Sequence, residues 1–126
     1  MAILCKMEEA AMTPLITDDH RTQLLDNGAA AARGEQRDPL PVVKLVTLDA
    51  HATWLLTELN PADGDTAFGL LDLGMGTPKL GHVRLSVLES IRGPRDLAVA
   101  RDPYFTPRRP LSEYARLARE DGSIND

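Results

Sequence analysis

Apolar and polar positions alternate most regularly between residues 53 and 86, in three short segments separated by clusters of Gly, Pro, Asn and Asp. Thr53 to Leu59, Thr66 to Leu73 and Lys79 to Ser86 show the period of two that sends successive side chains to opposite faces of a strand. The residues between them set turn geometry, so the pattern predicts an antiparallel meander. A further strand precedes it from Val42 to Leu48, which is rich in β-branched residues and too short for an independent helix. In Thr53 to Leu59, strict alternation puts Trp54, Leu56 and Glu58 on one face and Leu55, Thr57 and Leu59 on the other. Apolar bulk on both faces marks an inner strand.

Helical signals flank this sheet. Thr17 is placed as an N-cap, Asp18 and Asp19 suit the positive end of a helix dipole, Leu24 and Leu25 supply an apolar face, and Asn27-Gly28 reads as the stop. Residues 29 to 41 then read as a frayed turn leading into a solvated connection within one domain. Ser86 and Glu89 have the spacing of a capping box, predicting a helix from Val87 to Arg92 that Gly93-Pro94 ends. Leu97 to Val99 has the character of a short edge strand. Near the C-terminus, Leu111, Tyr114, Ala115 and Ala118 line one helical face and Gly122 provides the stop. The expected fold is a single α+β domain over residues 12–126, with a roughly four-stranded antiparallel meander and helices packed on one face. Residues 1–11 have no apolar periodicity and precede Met12, a plausible start, so they are expected to be a disordered extension.

Composition narrows the chemistry. A chain of 126 residues has room for one core, and with only 4% aromatics its filling falls to Leu and Val. One Cys, Cys5, rules out an internal disulfide, and three His leave little for a structural zinc site. No apolar run reaches membrane-spanning length and no signal-peptide core is evident, which predicts a cytoplasmic protein without a membrane partner. The net charge is -5, but residues 84 to 109 hold six Arg against three acids. A basic face on an acidic body follows.

The ordered segments PVVKLVTLDA (41–50), TWLLTEL (53–59), AFGLLDLG (67–74), PKLGHVRLSVLESIRG (78–93) and VARDPYF (99–105) resemble a family of small bacterial proteins, common on plasmids and other mobile elements and described only as a domain of unknown function. His82 stands where that family more often has an aromatic residue. The resemblance implies a bacterial, mobile-element setting and supplies no activity, catalytic residue or cofactor.

Three constellations deserve weighing for function. Glu58, Asp72 and His82 come one from each consecutive strand, and carboxylates with imidazole form a ligand set for Mg, Mn or Zn in a small metal-dependent hydrolase. A register error of one residue would separate them, and solvated polar positions are the plainer reading. Arg84, Arg92, Arg95, Arg101, Arg108 and Arg109, with Tyr104 and Phe105 among them, form a candidate surface for phosphates and stacked bases. Gly74-Met75-Gly76 lacks the following GK[ST] of a phosphate loop and reads as a turn, and Ser86 lies in no G-x-S-x-G sequence. The reading that results is a non-catalytic interaction or regulatory module with a protein partner, serving anti-defence or nucleic-acid transactions, with no cofactor or metal. The hydrolase is the alternative.

Overall fold

Strand β2 (Thr53–Leu59) is the centre of the molecule, with five of its seven residues buried. The computed structural model describes residues 15–47, 51–91 and 98–124. Among these, β1 (Val43–Thr47), β2, β3 (Thr66–Asp72), β4 (Lys79–Arg84) and β5 (Val99–Arg101) form one open antiparallel sheet in the order β4-β3-β2-β1-β5. The roughly four-stranded meander is joined by a fifth, short edge strand, which the sequence placed at Leu97 to Val99 and the structure places at Val99–Arg101. The short segment around Val99 pairs with the free edge of β1, Thr47 opposite Val99 and Leu45 opposite Arg101. Among the described residues three helices accompany the sheet: α1 (Asp18–Ala32), α2 (Leu85–Ser90) and α3 (Leu111–Asp121). The expected extension, Cys5, Met12 and the Gly93-Pro94 stop lie outside the described residues.

The helices do not share one face, which corrects the expectation. Leu45, Trp54 and Leu56 face a cluster containing Leu24 of α1 and Leu85 and Leu88 of α2. On the opposite face Leu55 and Leu70 pack against Leu111, Tyr114, Ala115 and Ala118 of α3. The reason lies in β2 itself: a strand with apolar side chains on both faces must be covered from both sides.

Helix α1 begins at Thr17 as expected, its hydroxyl accepting from the His20 amide while the His20 ring accepts from the Thr17 amide. It does not stop at Asn27-Gly28 but runs on to Ala32, with Gly34 in the left-handed region beyond it. Tertiary contact overrides the local stop signal. A Cβ at Gly28 would sit 1.8 Å from the Leu59 carbonyl oxygen, so glycine is what allows α1 to lie directly on the backbone of β2.

Two helix starts are capped from far away in the sequence. At α2 the expected Ser86–Glu89 box does not form the cap. Instead Asp65, in the turn before β3, accepts from the Ser86 amide at 2.9 Å and from the Ser86 hydroxyl at 2.7 Å. At α3 the Asp38 carboxylate accepts from the Ser112 amide at 3.1 Å and from the Ser112 hydroxyl, and the Pro39 carbonyl accepts from Leu111. Free amides at a helix start need an acceptor, and these two come from loops the sheet brings alongside. Helix α3 otherwise follows the expected stripe, and Gly122 ends it in the left-handed conformation.

Candidate functional site

Beyond Leu56 the register of β2 against β3 shifts, so that Leu56 opposes Gly69 but Glu58 opposes Phe68. Thr57 is the extra residue, its hydroxyl donating to the Phe68 carbonyl at 3.3 Å. This bulge moves Glu58 off the Trp54 face, where strict alternation had put it. Phe68 in turn opposes His82 on β4. Directly opposed residues project from the same face, so Glu58, Phe68 and His82 form one row across three strands. The Phe68 and His82 rings are tilted at 57° with centroids 5.0 Å apart.

Asp72 does not join them. It lies four residues along β3 from Phe68, about 13 Å at the rise of a strand. Its buried carboxylate accepts from the Gly74 amide at 2.9 Å and from the Ile124 amide at 3.0 Å, tying the end of β3 to the segment after α3. Of the three candidate ligands, Glu58 and His82 share a row with Phe68 between them, and Asp72 is a structural brace. Among the described residues no three His, Cys, Asp or Glu side chains gather as a metal-ligand group.

The row opens into a cleft of about 270 Å3. Glu58, Phe68 and His82 line one side, Asn60 and Thr66 the end, and Gly28, Ala31 and Ala32 of α1 the other. Because β1 pairs with β2 only as far as Leu56, α1 takes over beside Thr57–Leu59, the Asn27 side chain donating to the Thr57 carbonyl at 2.8 Å. Small residues at 28, 31 and 32 leave the space open. The Glu58 carboxyl is half-buried and accepts no hydrogen bond among the described residues. Burial raises its pKa above the ordinary value, and the neighbouring His82 partly offsets this. The sequence singled out Glu58 and His82 but missed Phe68, Asn60 and the α1 wall. The one available signal was a glycine inside an otherwise helical stretch, which marks close approach of another backbone.

The arginines are dispersed. Arg84 ends β4 and Arg101 lies on β5, opposite edges of the sheet separated by about 19 Å of strand spacing. Arg101 is half-buried and donates to the Leu15 carbonyl at 3.3 Å. The Arg109 guanidinium lies 5.4 Å from the centre of the Tyr114 ring, and the Arg108 amide donates to the Tyr114 hydroxyl. Phe105 packs against the α3 core cluster, whereas Tyr104 is 89% exposed. Arg92 and Arg95 lie outside the described residues. The described members therefore do not line one continuous strip.

A family model described as a protein of unknown function (DUF2958) matches residues 15–125. The chain belongs to the DUF2958 family. That match spans the whole described sheet, the cleft and the three described helices. No curated protein and no solved structure matches the chain. Among the described residues no helix is long and apolar enough to cross a membrane.

Proposed function

We propose that this DUF2958 domain is a non-catalytic interaction module that engages a protein partner through the cleft between α1 and the Glu58–Phe68–His82 row. The observation that carries the reading is the Glu58 carboxyl, half-buried at the mouth of an open cleft and without a hydrogen-bond acceptor role among the described residues. A carboxylate partly removed from water and left without a donor gains from a partner that supplies one. The bacterial, mobile-element setting implied by the sequence resemblance belongs to the same proposal. An accessory role in anti-defence or nucleic-acid transactions there asks for recognition rather than turnover. Hydrolysis by a Glu58, Asp72 and His82 metal site is the weaker reading, because Asp72 is held at the far end of β3.

Site-directed photocrosslinking tests the module. A photoreactive residue at Ala32, exposed on the cleft wall, is compared with one at Arg119, exposed on α3. A discrete protein adduct from position 32 and none from position 119 is expected. Equal adducts at both, or none at 32, would overturn the reading.

A further inference from the structure

The cleft's chemistry is more selective than its shape. One side of it carries an aromatic ring, Phe68, partly buried against the α3 cluster, and the face of such a ring attracts cations. Its acidic group is Glu58, which shares the row with that ring and lacks a hydrogen-bond donor among the described residues. Its far wall is the last turn of α1, the electronegative end of a 15-residue helix with no basic residue in that turn. These three features favour a cation, and within the row only His82 acts on Glu58 in the opposite sense.

Of the neighbouring cations, Arg33 and Arg37 both bind Glu35, at 2.7 and 2.6 Å, which offsets one of their two charges at the helix exit, and among the described residues neither forms an ion pair with Glu58. Asn60 and Thr66 also line the cleft and add no charge, their side chains bonding within the β2–β3 turn, where Asn60 Oδ1 accepts from the Ala62 amide and the Thr66 hydroxyl donates to Asp63. A planar cation inserted here stacks on Phe68 and donates to Glu58, the pairing for which a guanidinium is shaped.

Resting on the reading of the domain as a protein-binding module, we infer that the cleft receives an arginine side chain of the partner, held between the Glu58 carboxylate, the Phe68 ring and the C-terminal end of α1. His82, exposed to solvent, flanks Phe68 at the β4 end of the row.

The test uses the full chain and a fragment of the proposed ligand. Butylguanidinium is titrated into the protein while the amide signals of Gly28, Ala31 and Phe68 and the His82 ring signals are followed by NMR. The neutral isostere butylurea serves as control. Saturable shifts at these residues with butylguanidinium at millimolar concentration, absent with butylurea, are expected. In Glu58→Gln, which keeps the shape and removes the charge, affinity should fall by about tenfold or more. Phe68→Leu, which keeps Glu58, should weaken binding severalfold. A response equal for butylurea, unchanged in Glu58→Gln, or absent from the cleft altogether overturns the inference. A crosslinked partner at position 32 without guanidinium binding would leave the interaction module standing and remove only the arginine.

Discussion

The Asn27 side-chain amide donates to the Thr57 carbonyl at 2.8 Å, joining the middle of α1 to the bulged residue of β2. The bond stands where β1 would have continued the ladder, since β1 pairs with β2 no further than Leu56. One residue later, Gly28 meets the Leu59 backbone with no room for a Cβ. Replacing it sets helix propensity against sterics. Ala gains about 1 kcal/mol in helix propensity, but its methyl would lie 1.8 Å from a backbone oxygen that cannot move without distorting β2. Gly28→Ala is expected to destabilise by about 1–3 kcal/mol net, read from the midpoint of urea unfolding. A neutral or stabilising result would show that α1 does not dock as described.

That pair also shows where sequence was readable. The limits of β2 and most of β3 were visible because turn residues bracket an unambiguous alternation, and α3 because its stripe of Leu111, Tyr114, Ala115 and Ala118 has no competing period. Asn27-Gly28 misled because the features that make these residues helix stops, a short amide and a missing side chain, also suit tertiary contact. The bulge at Thr57 was hidden for a related reason. Leu56, Thr57, Glu58 and Leu59 follow one another there, and the adjacent polar pair fits unbroken alternation as well as a bulge, so strict alternation puts Glu58 one side out. Ser86 and Glu89 had the right local spacing, but the acceptor that reaches the α2 start is 21 residues earlier.

Asp65 therefore carries the cap of α2. Asp65→Ala removes acceptors for the Ser86 amide and hydroxyl and should cost about 0.5–2 kcal/mol in chemical unfolding, the range for a lost N-cap. Asp65→Asn, which keeps one acceptor oxygen, should lose less. Equal stability of Asp65→Ala and parent would return the cap to Ser86 itself.

Trp54 is 3% exposed and belongs to the cluster beneath α1 and α2. In a chain so poor in aromatics no neighbour can refill its space. Trp54→Ala is expected to cost about 3–5 kcal/mol, and the parent's native fluorescence should be blue-shifted. Emission at the wavelength of free indole in water would contradict the burial.

Asp63 provides a pH signature of the β2–β3 turn. Its carboxylate accepts from the Thr66 and Asp65 amides and the Thr66 hydroxyl, which lowers its pKa from 3.8 to about 2. A depressed carboxyl stabilises the fold above its unfolded pKa and loses that contribution as pH falls through the folded value. Asp63→Ala should therefore be less stable than the parent near neutrality, with the gap closing as pH drops from the ordinary carboxylate range toward about 2. A gap that persists unchanged at the acid end would assign the loss to packing instead of charge.

Glu58 has the opposite sign and bears on the cleft. Burial raises its pKa above the ordinary 4.5, while His82 acts to lower it. A raised carboxyl opposes folding when ionised, so the penalty is full above the folded pKa and vanishes below the unfolded one. Glu58→Gln removes the charge at every pH. It is expected to be more stable than the parent near neutrality and equal to it once pH falls below the unfolded value of 4.5. The crossover is measured by thermal unfolding across that range. If butylguanidinium occupies the cleft, saturating it should stabilise the parent above the Glu58 pKa, where the carboxylate is charged, and have less effect below it. A Glu58→Gln variant less stable than the parent near neutrality would mean that the carboxylate already has a stabilising partner within the chain, and the cleft would then have no uncompensated charge to offer an arginine.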